Sequence, residues 1–396
     1  MNQKITSIFF LAPIVYAFGW SLDLYAPIMS DIQMSFTGQE AFIFHVAISL
    51  FLLVMGVTQL IMCFIFDKVK IMHLAIVAII GFMLSTLVCV VAEDAMIFNI
   101  ARILVAVFSS ILMLIGAVEV KSLAENNSST RLFAGLGILG TLSNISSAGI
   151  AVYISVALGW RYVFVFLLAY GLLTCVCLWR LRSKAMLSNK PIAISANDTL
   201  ALLCGLFKLP KFCVYLLSNL LANTSYFLMM IMVPTVLHLF HMSHVTVGIV
   251  LTIVGVMYIV GSMAASFCAS ILKLKTSSIA MIGVMLLVLA SGYLCFETQS
   301  KSIHFNLIRF TILASVIVMA ASFLMSPSIS GSLDSYKGSS ALAAGLTAAI
   351  VLSLTGVINL IAGNFLDHTA SLYGAWIFCF SLLMLILFLI MRRKMA

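Results

Sequence analysis

Charge is what this chain has least of. Of its 396 residues, 12 are acidic and 21 are Lys or Arg, 8% in all, where a soluble domain carries roughly 25%. A water-facing surface cannot be built at that density. A soluble enzyme, a nucleic-acid-binding domain and a disordered chain are therefore excluded. Proline is scarce too, at six residues, so long helices can run unbroken. Nine cysteines occur, but none form a CxxC pair. Cys63, Cys89, Cys175, Cys177, Cys268 and Cys379 lie inside apolar runs. They read as small buried hydrophobes, not as a disulfide or zinc framework. There is no P-loop, which excludes a nucleotide-driven pump for this chain alone. There is also no HExxH or GxSxG and no paired acids inside an apolar run, so nothing points to an enzyme. What the chain has in excess is apolar side chains, 63% of the total. It reads as an all-α, polytopic integral membrane protein.

A bilayer core about 30 Å thick takes roughly 20 apolar residues of helix. Twelve such segments are expected, near 6–29, 42–64, 71–92, 96–120, 131–154, 160–180, 211–236, 246–270, 277–297, 303–326, 338–363 and 370–391. No small-residue cleavage site closes the first, so it is expected to remain as a span. Arg182, Lys184, Lys190, Pro191, Asp198 and Lys208 mark 181–210 as a polar linker between two halves, 1–180 and 211–396. With the N-terminus inside, 17 of the 21 Lys and Arg fall on the cytoplasmic side. Arg161 and Lys301 fall outside, and Arg102 and Arg309 lie within spans. That bias predicts both termini in the cytoplasm.

The halves repeat. Phe98-Asn99-Ile100-Ala101-Arg102 opens span four, and Phe305-Asn306-Leu307-Ile308-Arg309 opens span ten, 207 residues on. Ala134-Gly135-Leu136 and Leu142-Ser143 recur as Ala344-Gly345-Leu346 and Leu352-Ser353, 210 residues on. Lys68-x-Lys70 and Lys273-x-Lys275 precede spans three and nine. Two parallel six-helix halves are the plan of the major facilitator fold, in which a solute site lies at the midplane and one half rocks against the other.

Within that superfamily the chain resembles the drug:proton antiporter branch, bicyclomycin/chloramphenicol-resistance type. The resemblance runs over nearly the whole chain. Asp23-Leu24-Tyr25-Ala26-Pro27 with Asp31-Ile32 resembles the branch's span-one signature. Gln59-Leu60, Asp67-Lys68, Arg102, Gly159-Trp160-Arg161, Pro234, Ser243, Gly248 and Gly338-Ser339-Ser340-Ala341 match further motifs. The chain departs from the pattern at Lys70, Ile71 and Met72, at Val105 and Ala106, at Ser122, and at Asn144, Ala148, Ala151 and Val152, where the branch has its span-five prolines and glycines. The resemblance implies multidrug efflux by antiport with protons in a bacterial inner membrane.

Charges within spans are costly and mark candidate sites. Asp23 and Arg102 stand at similar depth, so they are expected to face each other. They would act as a proton-coupling pair or as a permanent ion pair joining spans one and four. Arg309 is the repeat counterpart of Arg102 and is a candidate for an anionic solute, or else a side chain snorkelling to the interface. Glu119 and Lys121, with Asp67 and Lys68, are candidates for an inner gate. Trp20, Tyr25, His45, Asn223 and Tyr226 are candidates for the solute pocket. Asn219, Thr224, Tyr16, Tyr258, Asn359 and Asn364 are further polar or aromatic groups within spans. His238, His241 and His244 form a loop series open to metal binding or plain solvation, but no metal and no cofactor is expected. Gly135-x-Gly137-x-x-Gly140 lies inside an apolar span and reads as helix packing.

The expected protein is a monomeric secondary active transporter. Its partners are a small-molecule substrate, protons and membrane lipid, with no nucleic acid. Proton-coupled efflux of small amphipathic or drug-like compounds leads. A carrier for one metabolite or siderophore, in either direction, is the alternative. A transporter-shaped sensor or assembly protein is the alternative of another class.

Overall fold

The structure is a computed structural model that describes residues 2–36, 42–65, 69–123, 147, 149–183, 204–297, 307–334, 340–365 and 370–395. Two compact units divide the chain, Met1–Leu200 and Ala201–Ala396. The first holds α1 (Asn2–Asp23), α2 (Met29–Ser35), α3 (Phe42–Ile65), α4 (Ile71–Val91), α5 (Ala95–Leu123), α6 (Gly149–Leu158) and α7 (Arg161–Ser183). The second holds α8 (Pro210–Leu239), α9 (His244–Ser270), α10 (Thr276–Glu297), α11 (Leu307–Asp334), α12 (Ser340–Phe365) and α13 (Ala370–Met395). Nine of the described helices are long and apolar enough to cross a membrane. Eleven of the twelve expected spans fall on described helices, the span expected at 131–154 lies mostly outside the described residues with α6 overlapping its end, and α2 is one more, short piece. The chain is a multi-pass, all-α membrane protein.

Polar residues set the helix ends. Asp94 caps α5, its Oδ1 accepting from the backbone N–H of Met96 at 2.8 Å and of Ile97 at 3.1 Å. Ser243 does the same for α9, taking the Thr246 N–H at 3.2 Å. Between α6 and α7 the chain turns at Gly159, whose φ of 102° only glycine adopts without strain.

The same packing scheme occurs in both units. In the first, α5 packs on α1, α3 and α4, and α7 packs on α1 and α4. In the second, α11 packs on α8, α9 and α10, and α13 packs on α8 and α10. Helices at matching places in the sequence repeat thus make matching pairs. α8 also packs on α12 and α9, and nearly all of its spanning stretch is buried. Apolar burial cannot drive helices together inside lipid, so small residues that admit a close neighbour do much of it. At Gly261 on α9 a Cβ would stand 2.1 Å from the Met319 carbonyl oxygen on α11, and at Gly283 on α10 it would stand 2.9 Å from Leu324 Cβ. Before α8, Leu206 is buried against Phe212, Leu216 and Val351.

One span differs from expectation. Span one was read as continuous from 6 to 29, with Asp23 well inside it. The helix instead ends at Asp23, passes through a turn and a 3-10 segment (Ala26–Ile28), and resumes as α2. Pro27 is the cause, because it has no N–H to donate and its ring crowds the preceding turn. The eight described cysteines are free.

Candidate functional site

The break in α1 creates the most unusual site in the first unit. The Tyr25 N–H would ordinarily bond the Ser21 carbonyl four residues back. It bonds Leu22 O instead, at 3.3 Å. Arg102, on the neighbouring α5, donates to the vacated Ser21 carbonyl from Nη1 at 2.6 Å. A cation at the C-terminal end of a helix also meets the negative end of its dipole.

Aromatic rings surround the guanidinium. Its carbon lies 4.4 Å from the Tyr25 ring centre, 4.6 Å from Phe51 and 6.0 Å from Phe164. Desolvated cation–π contacts contribute about 2 kcal/mol or more each. Arg102 is 2% exposed. Its Nε and Nη2 have no hydrogen-bond partner among the described residues, and neither do Tyr25 Oη and both amide atoms of Asn99.

A cluster of rings anchors this corner. Phe98 contacts Trp160 at 5.6 Å and Phe164 at 5.4 Å, both edge-on, and Phe36 lies 5.8 Å from Phe98. Trp160 Nε1 donates to Ser35 Oγ at 2.7 Å and Ser155 Oγ donates to Asp31 Oδ2 at 2.5 Å. Together these bonds pin α2 onto α6 and the start of α7. Arg161 donates to Ala92 O at 3.0 Å with its guanidinium over Trp160.

The expected Asp23–Arg102 ion pair is not formed. The two residues do come close in the fold, since Arg102 holds a carbonyl two residues from Asp23, but the guanidinium bonds the backbone and not the carboxylate. The reason is the helix break, which leaves a carbonyl free where a continuous helix would have left none.

The sequence matches the Major Facilitator Superfamily over residues 9–349. The chain belongs to that superfamily. As a major facilitator protein it is a membrane transporter and not an enzyme. No curated protein matches it. Many solved structures share its fold, two xylose transporters among them. The crystal structure of a D-xylose–proton symporter is 13% identical, with 97% of each chain covered and a TM-score of 0.73. The partially occluded, inward-open xylose transporter XylE from E. coli is 14% identical, with 99% of this chain and 98% of that chain covered and a TM-score of 0.71.

The other candidates in this major facilitator chain fall in several places. Trp20 is half-buried on α1, its ring 5.4 Å from Phe166 and 5.7 Å from Tyr170. Tyr170 in turn donates to Pro13 O at 3.1 Å. In the second unit Asn223 donates to both the carbonyl and the side-chain oxygen of Asn219, each at 2.9 Å, within α8. Tyr226 stacks 4.9 Å from Tyr258 of α9. Arg309 is exposed in the first turn of α11, unlike its buried repeat counterpart. His45 lies on α3 and Glu119 and Lys121 on α5, but their side chains are outside the described residues. Asp67, Lys68 and the glycine series at 135–140 are also outside them. His241 is exposed with φ 53°.

Sequence reasoning missed Ser21 and Phe51 as partners of Arg102. It also missed Asn99, which it had read only as part of the Phe-Asn repeat. The position of Asn99, three residues before Arg102 on one helix face, was the available signal.

Proposed function

We propose that this chain is a proton-coupled secondary active transporter that exports small amphipathic, drug-like solutes across a bacterial inner membrane, with both termini cytoplasmic. The halves 1–180 and 211–396, joined by the linker 181–210, alternate access to a solute site. Asp67, Lys68, Glu119 and Lys121 serve as an inner gate. The observation that carries this reading is the broken α1, which ends on Asp23 two residues from the Ser21 carbonyl that buried Arg102 binds. Broken helices in transporters expose backbone and side-chain groups at solute and ion sites. The break ends on a carboxyl that can hold a proton, two residues from the carbonyl to which a positive charge on another helix is bonded. A change in their separation during the cycle would load the proton on one side and release it on the other. The branch resemblance at Asp23-Leu24-Tyr25-Ala26-Pro27 supports the same assignment.

A second reading is a carrier for one specific metabolite. It is favoured by the two unmet nitrogens of Arg102, which suit a defined polar group better than a range of drugs.

The test uses proteoliposomes loaded with a pH-sensitive dye, containing wild type or Asp23→Asn. They are challenged with lipophilic cations, neutral drugs and carboxylate metabolites. Solute-driven proton movement is expected in wild type and not in the variant. Equal solute movement in both, with no pH change, would show Asp23 to be structural.

A further inference from the structure

We infer that the free edge of Arg102 is a binding site for an oxoanion, and that its occupant in transport is a carboxylate-bearing solute. Nε and Nη2 carry hydrogens that point the same way along one edge of the planar guanidinium. That edge meets the two oxygens of a carboxylate in parallel hydrogen bonds. In Arg102 both of these nitrogens are unpartnered, while Nη1 is taken by Ser21 O. The unmet donors therefore lie on the edge suited to a bidentate anion and are not scattered around the group.

The surroundings add to this. The side chain is 2% exposed, so bulk water does not serve the edge. The Tyr25 and Phe51 ring centres lie 4.4 and 4.6 Å from the guanidinium carbon, so its near surroundings are aromatic. Tyr25 Oη, on a ring packed against the guanidinium, has no partner either, and the amide of Asn99, three residues before Arg102 on the same helix, is also unmet. A cation buried with no opposite charge on its hydrogen-bonding edge is costly, and an arriving anion relieves that cost. Aromatic surroundings would also suit an acid with an apolar body.

That an anion binds here stands on the geometry alone. That the anion is the transported solute rests on the transporter reading above.

The full-length protein in nanodiscs, at low anion concentration, is titrated with benzoate and with its uncharged isostere benzamide. Binding is read by calorimetry and by thermal stability. Chloride and sulfate are titrated in parallel. Benzoate is expected to bind and raise the melting temperature, and benzamide is not. Arg102→Lys keeps the charge but has no two-nitrogen edge, so it should weaken benzoate binding at least tenfold. Tyr25→Phe keeps the ring and should weaken it less. Equal binding of benzoate and benzamide, or Arg102→Lys binding like wild type, overturns the inference. If Arg102→Lys does not fold, the benzoate–benzamide contrast in wild type still decides. If chloride or sulfate saturates the site and labelled benzoate shows no counterflow in proteoliposomes, the occupant is an inorganic ion and the solute assignment fails. Proton coupling is read separately. Benzoate counterflow with no response to a pH gradient would sink the coupling and leave the carboxylate site standing.

Discussion

Replacing Gly261 with alanine should loosen the second half of the protein by an amount the structure bounds. The new Cβ would stand 2.1 Å from the Met319 carbonyl oxygen, 3.0 Å from its carbon and 3.1 Å from its Cα. A carbon and a carbonyl oxygen approach to about 3.3 Å at closest, so α9 and α11 must part locally by about 1 Å. The obstacle is backbone, which no rotamer change can move aside. Overpacking of this kind costs about 1–3 kcal/mol. The same pair of helices shares the Ser322 Oγ to Tyr258 O hydrogen bond, 2.5 Å long, three residues from Met319 on α11 and three from Gly261 on α9. Stretching it forfeits about 0.6 kcal/mol more, the average for a hydrogen bond between membrane helices. For a unit of this size, 1 kcal/mol moves the melting temperature by about 2–4 °C. A fall of roughly 3–14 °C is expected. The assay is the fraction of monodisperse protein left after heating in detergent, read by size-exclusion chromatography. Gly345→Ala is the control, because nothing lies within 4 Å of its added Cβ. It should leave stability unchanged or raise it by up to about 1 kcal/mol, since alanine favours helix. A Gly261→Ala protein that melts with wild type, or with Gly345→Ala, would refute the close-contact reasoning.

Other substitutions test the first half. Asp94→Ala removes the cap of α5 and should cost about 1 kcal/mol, whereas Asp94→Asn keeps a capping oxygen and should cost little; paired melting curves decide. Gly159→Ala has open space around its Cβ but must adopt φ 102°, so it should lower the melting temperature through backbone strain alone. Trp160→Phe removes the hydrogen bond to Ser35 while keeping a ring. It should raise amide hydrogen exchange across 29–36 and leave α9 to α13 unchanged, and uniform exchange along the chain would contradict the pinning of α2.

The span count and the two-half plan were legible in the sequence because both rest on periodic features. Apolar runs of bilayer length and a 17-to-2 charge bias do not depend on how side chains pack. The helix at 244–270 could be placed within two residues from Ser243 and the apolar run after it. The Asp23–Arg102 pair was misread for a different reason. Depth was counted along a continuous helix, and the disruption that Pro27 causes in the turn before it was not followed. Proline was read as sparse when its position mattered more than its number. The partners of Arg102 were not legible at all. Phe51 and Phe164 are ordinary membrane-core residues among 28 phenylalanines, and only the fold brings them onto the guanidinium.

The two halves share a packing scheme but not a chemistry. The helices at matching places make matching pairs in both units, so the repeat is maintained where it determines how helices fit. Its arginines have diverged. Arg102 is held by a carbonyl and two rings at the α1 break, while Arg309 lies exposed on the first turn of its helix. The matching stretch of span seven explains the difference. α8 runs unbroken from Pro210 to Leu239, with its only internal proline at Pro234, and it offers Leu228, Met229 and Met230 where α1 offers a freed carbonyl and an acid. α8 runs on through Pro234, so it presents no helix end of the kind that Arg102 meets on α1. The break at Pro27 is therefore what allows a charge to sit inside the first half, and the polar site follows from that single interruption.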